Sequence, residues 1–86
     1  MSETKTIVVW SRTGCHHCDE IKAYLQANKY AYELVDIEGR DYLRDILELK
    51  YGVRYVPVVE IGANGRFEAV LEKDYKRIEE LVERNA

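Results

Sequence analysis

Thr6-Ile7-Val8-Val9-Trp10-Ser11 is an unbroken run of β-branched and aromatic residues, with no charged residue inside it. A strand with one wet face alternates apolar and polar residues. A continuous apolar run therefore marks a strand covered on both faces, as in the middle of a sheet flanked by helices. This segment restricts the chain to an α/β architecture. Arg12-Thr13-Gly14 breaks the run, with Gly14 suited to a tight turn. A helix is then expected to begin at or beside Cys15, because Ile21, Tyr24, Leu25 and Asn28 follow at helical spacing. Asp19 and Glu20 fall in its first turn, where acidic groups suit the positive end of the helix dipole.

The remaining punctuation completes the order. Tyr32 to Ile37 reads as a second strand, interrupted by Glu38-Gly39-Arg40-Asp41. Asp41 is expected to cap a helix through about Tyr51, with Leu43, Ile46, Leu47 and the Lys50 stem on its inner face. Gly52 stands where a helix C-terminal glycine belongs. Tyr55 to Ile61 reads as a third strand, Gly62-Ala63-Asn64-Gly65 as a hairpin turn, and Arg66 to Leu71 as the returning strand. A last helix is expected from about Glu72 to Arg84, with Tyr75, Ile78, Leu81 and Val82 at helical spacing. The order β-α-β-α-β-β-α joins a βαβ unit to a ββα unit. It predicts one domain over residues 1–86, a four-stranded mixed sheet flanked by three helices.

Composition removes several classes of function. With a net charge of −3 and no basic stripe, the chain has nothing to meet nucleic-acid phosphates. No stretch approaches the roughly 20 apolar residues that span a bilayer. Met1-Ser2-Glu3-Thr4-Lys5 lacks the pattern of a signal peptide. A soluble, cytoplasmic, monomeric chain without membrane or nucleic-acid partners is expected. Two cysteines are too few for a disulfide scaffold. In a reducing compartment a close pair points instead to redox chemistry or metal binding.

Cys15-His16-His17-Cys18 is that pair, at the end of a central strand and the start of the next helix. The helix N-terminus carries roughly half a positive charge and unpaired N–H groups, which favour a thiolate at Cys15. Cys18, three residues on, can reach back to the first sulfur. Cys15 is expected to be the exposed nucleophile and Cys18 the more buried resolving thiol. The plain alternative is two thiols packed as small hydrophobes. Both histidines of the chain lie between the cysteines, and an imidazolium there would stabilise the thiolate further. A potential between about −180 and −230 mV is expected, against about −270 mV for thioredoxin. Pro57 has two readings: an edge-strand proline, or a cis proline beside the cysteines that frees backbone groups for an incoming thiol or peptide.

Ser11-Arg12-Thr13-Gly14-Cys15-His16-His17-Cys18 resembles the active-site segment of glutaredoxins, and Gly52-Val53-Arg54-Tyr55-Val56-Pro57 resembles their segment ending in Thr-Val-Pro. The likeness implies a thioredoxin fold, a cis Pro57, and reduction of protein disulfides or glutathione mixed disulfides. It places Arg12 where the family has a lysine that meets a glutathione carboxylate, with Arg54 assisting. The backbone of Val56 would pair with the cysteinyl part of glutathione, beside Tyr55 and Pro57. No tightly bound cofactor is implied, with glutathione acting as co-substrate. Three departures stand out. His16-His17 replaces the common Pro-Tyr, and Tyr55 replaces threonine. The Gly-Gly pair and following Asp are absent from Glu68-Ala69-Val70-Leu71-Glu72-Lys73-Asp74, where Glu72 or Asp74 is the candidate acidic substitute.

Two other functions compete. One is a glutaredoxin-shaped electron donor reduced by a flavoprotein, thioredoxin reductase. The other is metal or iron–sulfur cluster binding. Two cysteines and two histidines are zinc-ligand types, but adjacent His16 and His17 point about 100° apart on a helix. No mononuclear metal site is therefore expected. Cluster bridging between two chains, with glutathione as added ligand, stays open by resemblance.

Overall fold

The computed structural model describes residues 5–63, 65–72 and 74–83. Its elements are β1 (Thr6–Ser11), α1 (His16–Ala27), β2 (Glu33–Asp36), α2 (Asp41–Tyr51), β3 (Val58–Ala63), β4 (Arg66–Val70) and α3 (Tyr75–Glu83). The strands form one sheet in the order β2-β1-β3-β4. β1 runs parallel to β2 and antiparallel to β3, and β3 runs antiparallel to β4. This is the expected four-stranded mixed sheet, and the apolar run is one of its two central strands.

Alternation along β1 and β3 divides the core into two layers. Ile7 and Val9 join Val59, Ile61 and Val70 against Ile21 and Leu25 of α1 and Ile78 and Leu81 of α3. Trp10 and Val58 face the other way, with Ile37 and with Leu47 of α2. α1 and α3 therefore share one face of the sheet and α2 covers the other. Tyr24 of α1 stacks on Tyr75 of α3 with ring centroids 4.5 Å apart, which joins the two helices on their common face.

Several boundaries differ from the sequence reading for identifiable reasons. β3 begins at Val58 rather than Tyr55, because Pro57 lacks the N–H a ladder position would use. The Val56–Pro57 bond is cis. Gly62 and Ala63 are ladder residues paired with Phe67 and Arg66 rather than turn residues. Gly62 is needed there: a Cβ would lie 1.9 Å from the Arg66 carbonyl oxygen. Position 64 itself lies outside the described residues, as do Lys73 and Arg84 of the expected last helix. Asp41 does not cap α2. Arg40 holds the cap position, with no side-chain hydrogen bond, and Asp41 is the first helical residue. Of the expected inner face of α2, Leu47 is fully buried but Ile46 is 38% exposed. Among the described residues no helix is long and apolar enough to cross a membrane.

The α2 layer contains a charged group that the sequence reading passed over. Glu60 of β3 is 5% exposed. Its carboxylate accepts hydrogen bonds from Trp10 Nε1 at 2.6 Å, from Lys50 Nζ at 2.8 Å, and from the Tyr51 hydroxyl. Lys50 also lies 5.8 Å from the centre of the Trp10 ring, within cation–π range. Burial pushes the Glu60 carboxyl up. The hydrogen bonds from Lys50, Tyr51 and Trp10, with the Lys50 charge, outweigh burial and hold it below the usual carboxylate range. Burial, then the bond to Glu60, pushes the Tyr51 hydroxyl up.

A carboxyl group held low when folded contributes stability that is present above its unfolded value and is lost as pH falls through the folded one. Glu60→Gln is expected to cost about 1–3 kcal/mol near neutral pH. Urea unfolding at neutral and acid pH should show the gap between wild type and variant narrowing as pH falls, because the wild type loses its advantage on protonation.

Candidate active site

The end of β1 builds the site. Trp10 pairs with Val58, so the next residues along, Ser11 and Pro57, approach each other at the same end of the sheet. Gly14 then turns the chain at φ +77°, a conformation that L side chains rarely adopt, and delivers Cys15 to the start of α1. Cys15 is the N-cap residue in extended conformation. Its Sγ accepts a hydrogen bond from the Cys18 amide at 3.2 Å, as an N-cap oxygen would, and its carbonyl accepts from Asp19 N at 3.0 Å.

Cys15 and Cys18 form a disulfide, with Cα atoms 5.2 Å apart. Cys18 is fully buried and Cys15 is 7% exposed. The order of exposure is as expected, but Cys15 is much less open than a residue at an exposed turn. A thiolate generated at its position would meet the Cys18 N–H and the positive end of α1, an arrangement that favours the charged form.

The other expected site residues are distributed unevenly. His16 and His17 lie in the first turn of α1, with side chains 82% and 66% exposed, and both face the carboxylate of Glu20. Arg12 is exposed in the turn before Cys15. Tyr55 is half-exposed, and Val56 packs partly on the α2 layer just ahead of the first β3 ladder pair. Arg54 departs from expectation. Its guanidinium is bound by Asp45 at 2.7 Å and Glu48 at 3.1 Å, both on α2, so two carboxylates claim the charge expected to assist Arg12. The bond to Asp45 leads the causes that raise its pKa.

The stretch lacking the glycine pair also takes a definite form. Ala69 pairs with Glu60 in the sheet, and Val70 is buried against α1 and α3. Both residues belong to β4, and their side chains pack into the two layers on opposite faces of the sheet. Asp74, one of the two acidic candidates there, accepts a hydrogen bond from Arg77 N at the start of α3. Among the described residues no group of three or more His, Cys, Asp or Glu side chains converges as a metal site.

The glutaredoxin family model matches residues 7–67, most of the chain and all of the site. The chain belongs to the glutaredoxin family. It is 46% identical over 72 residues, 84% of this chain and 77% of the relative, to N-acetyl-S-hydroxy-L-cysteine reductase of Bacillus subtilis (strain 168). Among solved structures it resembles a thioredoxin-like protein at 28% identity and a TM-score of 0.71, covering 87% of this chain and 97% of that one. It also shares its fold with a glutaredoxin from Archaeoglobus fulgidus, at 22% identity and a TM-score of 0.75, over 98% and 89% of the two chains. This family member is thus a thiol–disulfide oxidoreductase with a thioredoxin-like fold.

Two features of the site escaped the sequence reading. The contact of Glu20 with both histidines was available from the i, i+3 and i, i+4 spacing. The capture of Arg54 depends on α2 folding back beside residue 54, which no local pattern announces. Arg54→Ala is expected to leave kcat/KM within about twofold of wild type, because its charge is already engaged by α2. A modest fall in thermal unfolding temperature, measured by circular dichroism, should accompany that unchanged activity.

Proposed function

We propose that this glutaredoxin reduces the oxidised sulfur of a small cysteine derivative, with Cys15 as nucleophile and Cys18 as resolving thiol. The observation that carries the reading is the placement of Cys15 Sγ at the N-cap of α1, accepting from the Cys18 amide. The Cys15 thiolate attacks the substrate sulfur and forms a mixed disulfide. If the substrate is an S-hydroxy cysteine, hydroxide leaves and becomes water. If it is a disulfide, the second thiolate leaves. The Cys18 thiolate then attacks Cys15 Sγ, releases the substrate as a thiolate, and closes the Cys15–Cys18 disulfide. Each turnover moves two electrons from the dithiol to the substrate.

The name of the Bacillus relative supports an N-acylated, S-hydroxylated cysteine as the substrate class. Glutathione remains the natural candidate for reducing the Cys15–Cys18 disulfide, with a flavoprotein reductase as the other source of electrons. Protein disulfides would enter at the same sulfur, beside Val56 and Pro57. Comparing turnover with glutathione plus its reductase against thioredoxin reductase separates the two donors.

Arg12 is proposed to bind the substrate carboxylate. Arg12→Ala should raise KM about fivefold, equivalent to about 1 kcal/mol of lost charge-assisted hydrogen bonding, with little change in unfolding temperature. Comparable losses of stability and activity would assign it a structural role instead. Cys15→Ser should abolish turnover, whereas Cys18→Ser should accumulate a mixed disulfide with substrate, visible by intact-mass spectrometry under non-reducing conditions. Preferential alkylation of Cys18 in the reduced protein would reverse the two roles.

A further inference from the structure

Residues 53–57 join the end of α2 to Val58, the first ladder residue of β3, and belong to neither element. The segment carries Tyr55, Val56 and Pro57, and the Trp10–Val58 register brings Pro57 to the end of β1. Its backbone is tied to α2. The Gly52 amide donates to the Glu48 carbonyl, and Arg44 Nη1 donates to the Arg54 carbonyl at 3.0 Å. Among the described residues, the Arg44 bond is the one hydrogen bond to a backbone group of 53–57, and it does not need the Arg54 side chain. The place of α2 on the sheet therefore governs the place of this segment.

α2 has few holds of its own. Leu47 is its one buried residue, with Leu43 and Tyr51 partly buried in the same layer. At its last turn, Lys50 Nζ donates to Glu60 Oε2 at 2.8 Å, and the Tyr51 hydroxyl donates to the same oxygen. Glu60 is a fixed point in the sheet. It pairs with Val8 on one side and Ala69 on the other, and its second oxygen accepts from Trp10 Nε1 at 2.6 Å. The bonds from α2 to Glu60 thus close a loop that contains the whole 53–57 segment.

We propose that Glu60 is a positioning residue for substrate, setting the place of Val56 and Pro57 through its bonds to Lys50 and Tyr51. The inference rests on the proposed function, in which substrate reaches Cys15 beside Val56 and Pro57. Glu60 does not touch substrate and takes no part in the electron transfer. Its loss lets the end of α2 shift and carries the segment with it, whereas Gly14, Cys15 and the start of α1 stay held from β1. Engagement of substrate should therefore suffer while the intrinsic reactivity of Cys15 does not.

The test oxidises the reduced full chain with N,N′-diacetylcystine, an acylated cysteine disulfide, at neutral pH. The second-order rate constant is read by acid quench, alkylation and mass spectrometry. Alkylation of Cys15 by iodoacetamide, which needs no bound substrate, is timed on the same samples. Glu60→Gln is expected to lower the diacetylcystine rate constant about fivefold and to leave iodoacetamide alkylation within about 1.5-fold, because misplacing a substrate-positioning group penalises only the reaction that uses it. Tyr51→Phe should lower the rate constant about twofold alone, and by less than about 1.5-fold in the Glu60→Gln background, because the two groups act as one unit. Ile78→Val and Leu81→Ala remove core volume from the opposite layer, bracket the stability lost in Glu60→Gln, and should keep the rate constant within about 1.5-fold of wild type.

A Glu60→Gln rate constant equal to that of wild type would overturn the proposal. An equal fall in the two opposite-layer variants, or in iodoacetamide alkylation, would overturn it as well. If Glu60→Gln does not fold, Tyr51→Phe against Ile78→Val makes the same comparison. A wild type that reacts with oxidised glutathione but not with diacetylcystine would count against the cysteine-derivative substrate instead. The glutathione rate constants of the same variants would then decide whether Glu60 positions the segment.

Discussion

β1 is hydrogen-bonded along both edges, to β2 and β3, and packed on both faces, and every functional group of this glutaredoxin is placed relative to its C-terminal end. A strand held on four sides has little freedom to shift register. A slip of one residue would exchange Ile7 and Val9 with Val8 and Trp10 between the two layers. The end of the strand is thereby fixed in space, and the turn through Gly14 carries that position to the cap of α1. The antiparallel neighbour brings Pro57 to the same end by the same register. The site is assembled by the strands before any of its own side chains interact.

The two faces of the sheet are stabilised differently. The layer beneath α1 and α3 is built from aliphatic side chains, with tyrosines at its margin. The α2 layer contains the Glu60 carboxylate, bound by Trp10, Lys50 and Tyr51. Apolar burial is non-directional and fills a layer, whereas a buried carboxylate is tolerated only where several donors meet it in fixed geometry. α2 buries one side chain completely, Leu47, so directional bonds to the sheet carry a larger share of its docking. Tyr42 and Leu49, by contrast, remain open to solvent.

Charge around the cysteines is largely compensated. Glu20 meets His16 and His17, Lys22 meets Asp19, and Asp45 with Glu48 holds Arg54. Besides Arg12 in the preceding turn, a thiolate at Cys15 would meet the backbone: the Cys18 N–H and the N-terminal end of α1. Fixed dipoles of this kind cost no reorganisation when the thiolate forms. They also respond less to salt than exposed side-chain charges do.

The sequence by itself determined the α/β class, the element order, the cysteine pair at the start of a helix, and Pro57 as a special position. Each of these depends on short-range rules. Side-chain periodicity, the missing N–H of proline and the dipole of the first helical turn operate within a few residues. The tertiary structure decided what depends on contacts between distant segments. Glu60 had no assigned role within the expected third strand until Trp10, 50 positions away, and Lys50 and Tyr51 of α2 were brought to it. Arg54 read as an assistant to Arg12 until α2 presented Asp45 and Glu48. Gly62 read as a turn residue until the hairpin closed on it through Arg66. Local pattern specifies what each segment becomes, but a charge or a bare Cα acquires its role only from what folding places against it.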